Sequence, residues 1–207
     1  YKRQNLMYLI FISMLALNMS KEVLSAFGLM NEKFVESNSA ASARNLAFME
    51  GLDAKVEEQP AKYRPLKAQA DQIEQLASNF NNYIADLKSQ MVSDLEDDKD
   101  YETMDKGDFL DEYFFIGDNL KPEGEAFVNQ MNTFREGVTT ALASNPDMVA
   151  IIDDVNKKFN TDPVENRDGI EVDWLEYNYK HFPLIASVTK LTSLQSDVKI
   201  TQSEVLS

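Results

Sequence analysis

Apolar residues gather first at the N-terminal end of the chain. Residues 4–20 carry no charge and are mostly apolar, and charged residues flank them on both sides. A helix rises about 1.5 Å per residue, so a run of this length lies at the short limit for crossing a bilayer core of about 30 Å. The pattern predicts a tail of residues 1–4 and a transmembrane helix over residues 5–20. The helix is expected to continue without a break into a charged, amphipathic helix over residues 21–36.

Two other interpretations of this segment stay open. A cleaved signal peptide has the same charge pattern, but it would end in small residues at a cleavage site. Here the chain continues through Val23, Phe27 and Phe34, with no proline before Pro60. A buried helix of a soluble protein is the third interpretation. The uncleaved anchor accounts best for apolar sequence that passes directly into an amphipathic helix.

Within this segment, one stripe repeats at alternating steps of three and four residues, which is typical of helices that pair. Its members are Leu9, Ser13, Ala16, Ser20, Val23, Phe27, Met30 and Phe34. Small residues favour close helix approach in lipid, and large apolar ones favour burial in water. The stripe therefore predicts pairing with a second copy. Alternatively, Phe27, Met30 and Phe34 pack on the bundle of their own chain.

The remaining residues, 37–207, are predicted to form one helical bundle outside the membrane, so the fold class is all-α. Helical periodicity covers residues 43–58, 65–96, 122–143, 146–159 and 183–205. The small polar run at residues 37–42 predicts a break, and residues 97–121 and 160–169 are predicted to be irregular. No segment alternates as a strand. The chain starts at Tyr1 and stops within a helical pattern, so it is expected to be an N-terminal fragment of a longer protein.

Charge fixes the expected orientation and excludes one class of partner. The chain has 35 acidic and 20 basic residues, with a net charge of −15. Such a surface repels nucleic acid. Lys2 and Arg3 precede the span, so the positive-inside rule places the N-terminus in the cytoplasm and the bulk of the chain outside. The chain has no cysteine, which excludes disulfides and thiolate chemistry.

Residues with catalytic potential are few, and no catalytic residue, metal site or cofactor is predicted. The one histidine, His181, lies beside aromatic residues and is expected to be structural. The acidic cluster at residues 94–100 lacks the spacing and the central glycine of a calcium loop. Trp174, Tyr177 and Tyr179 line a groove or belong to the core. Nothing in the pattern indicates an enzyme.

No acidic residue precedes Glu22. If the span serves a proton-driven device, another chain must supply the carboxylate. The basic residues Lys2 and Arg3 and the hydroxyl of Tyr8 are then the counterparts that this chain can offer.

Residues 5–34, NLMYLIFISMLALNMSKEVLSAFGLMNEKF, closely resemble the N-terminal membrane segment of the GldM/PorM family. Its members are inner-membrane components of the type IX secretion and gliding motor of Bacteroidetes. The resemblance implies a homodimer whose two membrane helices sit inside a multi-span ring of a GldL/PorL-like partner. It also implies a helical first periplasmic domain, followed by β-rich domains that this fragment lacks and that reach outer-membrane components.

The resemblance also suggests residues for proton coupling. Asn5 and Tyr8 match the family motif directly. A functional arginine of the family falls one position before Tyr1 in an ungapped match, and Arg3 takes its place if a gap is allowed. The predicted function is a single-span dimeric shaft, driven by proton motive force through the ring partner's carboxylate. The alternative is a single-span sensor whose helical bundle binds a periplasmic ligand.

Overall fold

The longest element of the fold is its first helix. The computed structural model describes residues 20–117 and 119–206, and helix α1 spans Lys21–Glu58. Its 38 residues make it about 57 Å long at the standard helical rise. The predicted span lies outside the described residues, apart from Ser20. Within the described ranges, none of the helices combines the length and the apolarity that a bilayer crossing requires.

The start of α1 differs from the predicted unbroken rod. Ser20 has an extended backbone, with φ −65° and ψ 145°, and its side chain accepts the N–H of Val23. Serine is a favoured N-cap because its oxygen satisfies a free N–H of the first turn. Helix α1 therefore begins at Lys21, with Ser20 as its N-cap.

The predicted break in the small polar run at residues 37–42 is wrong. Helix α1 passes through this segment without interruption, so residue 36 is not a helix end. Alanine is the strongest helix former, and the short side chains here let α1 approach its neighbour closely. Asn38 and Ala41 are buried at this point.

Helix α2 spans Pro60–Val92 and returns alongside α1. Lys67 Nζ lies 2.9 Å from Asp53 Oδ1, which joins the two helices near their shared turn. The sequence predicts a start at Pro65, but Pro60 opens the helix instead. A proline is well tolerated at the first helical position, where its missing N–H has no helical partner.

The rest of the fold consists of short elements and three further long helices. In chain order, they are a 3₁₀ turn at Tyr101–Thr103, α3 Asp108–Phe114, β1 Phe115–Ile116, β2 Asn119–Leu120, α4 Pro122–Leu142, a 3₁₀ turn at Pro146–Met148, α5 Val149–Lys158, β3 Val164–Glu165, β4 Glu171–Val172, α6 Trp174–Tyr179 and α7 Leu184–Leu206. Helices α4, α5 and α7 follow the sequence prediction closely. The structure is thus mostly helical, in agreement with the all-α prediction.

The structure contains two small antiparallel hairpins, the first within the predicted irregular segment 97–121 and the second beginning in the predicted loop 160–169 and ending just beyond it. Strand β1 pairs with β2, and β3 pairs with β4, with two residues in each strand. Gly117 and Gly169 adopt positive φ values of 61° and 74°, which glycine tolerates without steric cost. Strands this short leave no alternating pattern in the sequence.

The main core forms where α2, α4, α5 and α7 meet the short helices. Its largest fully buried side chains include Phe80, Phe114, Phe127, Phe134 and Phe159. Helix α7 has two different sides. One contributes apolar residues to this core, and the other buries Ser and Thr residues that face α1. Among the described residues, no side chain of α1 belongs to the main core.

Candidate functional site

Helix α1 meets the rest of the domain along a narrow face with little apolar area. The buried residues of α1 are Leu24, Gly28, Asn38, Ala41 and Asn45. Of these, only Leu24 and Ala41 present an apolar side chain. Such a face gains little from the hydrophobic effect, which scales with apolar area removed from water. Polar contacts must therefore hold much of α1 in place.

Three asparagines of α1 hydrogen-bond to α7, and we call these contacts the asparagine seam. Asn31 Oδ1 accepts the hydroxyl of Thr192 at 2.6 Å. Asn38 uses both ends of its amide. Its Nδ2 donates to the carbonyl of Thr192 at 3.1 Å, and its Oδ1 accepts the hydroxyl of Ser196 at 2.6 Å.

Asn45 is the third member of the asparagine seam, and it also uses both ends of its amide. Its Nδ2 donates to the carbonyl of Lys199 and to Gln202 Oε1, each at 3.1 Å. Its Oδ1 accepts the hydroxyl of Ser203 at 2.5 Å. A buried amide whose donors and acceptor are all used costs free energy to displace, since each lost partner leaves a desolvated polar group.

The order of these contacts shows that α1 and α7 run parallel. Thr189 donates to the carbonyl of Phe27 at 3.1 Å, and the partners on both helices then advance together up to Asn45 and Ser203. The described end of α7 therefore lies at the far end of the domain from Ser20.

A segment of residues 93–107, which we call the strap, crosses α1 near its start. The ring of Tyr101 lies directly on Gly28, where an added Cβ would come within 1.9 Å of Tyr101 Cδ2. The Tyr101 hydroxyl donates to Glu32 Oε1 at 2.8 Å. Burial and the Glu32 carboxylate raise the pKa of Tyr101 to about 12, so its hydroxyl stays protonated and remains a donor.

The strap is also joined to the start of α7. The N–H of Ile185 donates to the carbonyl of Met104 at 3.3 Å, and Leu24 of α1 packs with both residues in a small apolar cluster. At the surface, Lys21 Nζ lies 2.9 Å from Glu102 Oε2. The first turns of α1 are thus enclosed by the strap on one side and α7 on the other.

A cleft of about 290 Å³ opens between the strap, α1, α2 and α7. Lys88 lines it and donates to Gln195 Oε1 at 3.0 Å, while Gln195 donates to the carbonyl of Asn81. Burial lowers the pKa of Lys88 to about 8. These bonds tie α2 to α7 beside the asparagine seam.

Some members of the stripe predicted for helix pairing are exposed in the structure, and others are half-buried against their own bundle. Val23 and Met30 are 42% and 50% exposed, so they face away from their own bundle. Phe27 is half-buried and packs against the cluster of Leu24, Met104 and Ile185. Phe34 is also half-buried, and Ser20 is the N-cap of α1. The other predicted site residues, Arg3, Asn5, Tyr8, Leu9, Ser13 and Ala16, lie outside the described residues.

Sequence reasoning overlooked the asparagine seam, although the sequence contains a signal for it. Leu24, Asn31, Asn38, Asn45 and Leu52 follow each other at intervals of seven. This line lies one position after the predicted stripe member Val23. A search restricted to apolar repeats passes over it, because three of its five members are polar.

The residues considered for chemistry are mostly held in structural contacts. His181 is exposed, with its Nδ1 2.7 Å from Asp111 Oδ2 and its backbone N–H donating to Asp111 Oδ1. Tyr179 belongs to the main core, and Trp174 packs against it. Tyr177 is exposed. In the part of the chain that the structure describes, no three His, Cys, Asp or Glu residues gather as a metal site would require.

These features define a helical-bundle domain with a long first helix that is joined to the last helix by polar contacts. The family model described as the GldM N-terminal domain matches residues 22–207, nearly all of the described structure, and the chain belongs to the GldM family. Membership makes it a component of the gliding and type IX secretion machinery. A search of curated proteins found no match. The family match covers the bundle, whereas the resemblance in the sequence centred on residues 5–34.

Proposed function

We propose that this chain is the single-span, dimeric shaft of a motor driven by proton motive force, located in the bacterial inner membrane. Its movement outside the membrane powers type IX secretion and gliding. The observation that carries this proposal is α1, a 38-residue helix that begins beside the predicted span and is attached to its bundle along one narrow face.

The shape and attachments of α1 suit the transfer of movement. A continuous helix of about 57 Å, with each turn closed by hydrogen bonds, resists bending and stretching. The strap and α7 enclose its first turns, and the asparagine seam continues the attachment further along. A displacement that enters α1 at Ser20 would therefore move the bundle as well.

The outward face of α1 supports a second copy as its partner. Val23, Met30 and Phe48 are large apolar residues that are exposed on this face. Val23 and Met30 belong to the stripe predicted for pairing, and they lie closest to the predicted span. Burying them against the same face of a second copy would stabilise a dimer at about 25 cal/mol per Å² of apolar area.

Proton coupling is assigned to the span and its ring partner. The sequence offers no acidic residue before Glu22, so the protonated carboxylate would come from the multi-span ring. A charge in lipid is costly unless it is compensated. Arg3 would attract this carboxylate from the cytoplasmic end, and Asn5 and Tyr8 would hydrogen-bond it within the span. The chain itself performs no catalysis in this proposal.

The dimer is tested by placing one charge on two faces of α1. Met30 and Val35 are both 50% exposed, but five residues turn a helix by about 140° around its axis. Met30→Asp is expected to lower co-purification of a second, differently tagged copy about tenfold and to abolish gliding, because it charges the predicted interface. Val35→Asp is the matched control and should leave both unchanged. If the second copy co-purified equally well with both variants, the prediction that this face forms the dimer would be contradicted.

Proton coupling is tested in gliding cells with Tyr8→Phe and Arg3→Gln, and with Tyr1→Phe as the matched control. We expect both test variants to lose most gliding and secretion while the ring partner still co-purifies, because they remove contacts to the carboxylate and not the packing. The control should glide normally. Normal gliding in both test variants would contradict these roles and leave the helix as a passive axle.

A further inference from the structure

We infer that the asparagine seam fixes the register of α1 on α7, so that movement of α1 along or around its axis passes directly into α7. This inference rests on the proposed function only in taking α1 as the element that moves. The register itself is a property of the folded chain and can be measured without any motor.

The first observation is that apolar packing leaves the register weakly defined. Leu24 and Ala41 are the only fully buried apolar side chains of α1 among its described residues, while Phe27 and Phe34 are half-buried, and no side chain of α1 enters the main core. Leu24 lies at the start of the helix and Ala41 has a single methyl group. Apolar contacts that are mostly partial define the position of a helix along its partner less sharply than buried hydrogen bonds do.

The second observation is the way in which the asparagines are bonded. Asn38 and Asn45 each bind α7 through both the nitrogen and the oxygen of the amide. A shift of α1 by one turn, or a rotation by one residue, breaks both bonds at once. In paired helices, a single buried asparagine is known to select one register from several.

The third observation is that the ends of the repeat exclude a slip by one full interval. Leu24 and Leu52 flank the asparagines, at the same spacing of seven. A slip of seven residues towards either end brings one of these leucines onto the polar side of α7, where it cannot accept from the hydroxyls of Thr192, Ser196 and Ser203 as the asparagines do. The pattern of Leu, Asn, Asn, Asn, Leu thus matches α7 in one position only.

The route beyond the asparagine seam is also defined. The opposite side of α7 supplies Val188, Leu191, Leu194 and Val198 to the main core. Movement of α1 therefore reaches α2 both directly and through α7, and it reaches α5 through α7. Because α7 runs parallel to α1, it carries this movement towards the end of the domain that lies far from Ser20.

The test measures the distance between nitroxide labels on the two helices in the full chain, purified in detergent. The chain has no cysteine, so Ala54→Cys on α1 and Ile200→Cys on α7, both at exposed positions, give one labelled pair. Excess unlabelled chain removes distances between copies. With the asparagines intact, we expect a single narrow distribution of the distance between the two labels.

Replacing Asn31, Asn38 and Asn45 together by Leu is expected to broaden this distance or to add a second one, displaced by up to about 10 Å for a slip of seven residues. Asn82→Leu, at an exposed position of α2, is the control and should leave the distance unchanged. If the triple variant does not fold, Asn38→Leu alone is expected to broaden the distribution at least twofold. A single unchanged distance in a folded variant overturns the inference, whatever the gliding experiments show about the shaft.

Discussion

Gly28→Ala is expected to destabilise the domain by about 1–3 kcal/mol, the usual cost of forcing extra volume into a closed contact. The added Cβ would lie 1.9 to 2.4 Å from three ring carbons of Tyr101, so the ring must leave its place. Its hydrogen bond to Glu32 is lost with it, and the strap loses its hold on α1. Urea unfolding, followed by the helical circular dichroism signal, measures the change.

Gly51→Ala provides the matched control within the same helix. An added Cβ at Gly51 meets nothing within 4 Å, so only helix propensity changes, and a gain of about 1 kcal/mol is expected. Adding Tyr101→Ala to Gly28→Ala should cost little beyond Tyr101→Ala alone, because the clash is removed. Equal stability of the Gly28→Ala and Gly51→Ala variants would show that Tyr101 does not press on α1.

Periodicity predicted the helices that build the core. Helices α2, α4 and α7 place apolar residues at steps of three and four, and the structure buries these residues together. The predicted starts of these helices depended on the positions of proline residues. Pro122 marks the start of α4 correctly, whereas the predicted start of α2 at Pro65 is wrong, since Pro60 opens that helix. In the structure, Gln59 leaves the helical conformation and ends α1, so Pro60 opens α2 and Pro65 lies within it.

The attachment of α1 was not predictable in the same way. Apolar repeats indicated Val23, Phe27, Met30 and Phe34, but the bundle uses the neighbouring line that begins at Leu24. Asparagine in a helix is usually solvated, so asparagines at intervals of seven do not by themselves predict a contact. They indicate one only when the hydroxyl and carbonyl partners on α7 are known. Those partners lie more than 150 residues away in the sequence, and no local rule connects them.

The strap shows a second limit of sequence reasoning. The sequence predicts that residues 97–107 of the strap are irregular, but it does not indicate that Tyr101 will pack on Gly28 near the start of α1. That contact depends on the tertiary path of the chain between α2 and α3. Gly28 leaves room for the ring of Tyr101, so it is the place where the strap crosses α1.

Phe127→Ala is expected to have the largest effect on stability, about 3–5 kcal/mol, which is the usual cost of a large aromatic deletion in a core. Phe127 is fully buried, and its ring centroid lies 5.4 Å from that of Phe114 and 5.7 Å from that of Tyr179. It joins α4 to α3 and α6, so its removal leaves a cavity that these short helices cannot close. Since small domains have total stabilities of about 5–15 kcal/mol, much of the stability would be lost.

Phe48→Ala is the matched control, because Phe48 lies on the outward face of α1 and is 44% exposed. Within one copy, its removal should cost under about 1 kcal/mol, since little apolar contact is lost. Measuring both variants over a hundredfold range of chain concentration separates the core from the proposed dimer. The loss in Phe127→Ala should be the same at every concentration, because its contacts lie within one chain. If Phe48→Ala proved as costly as Phe127→Ala at the lowest concentration, α1 would belong to the core, contrary to the separation of shaft and bundle.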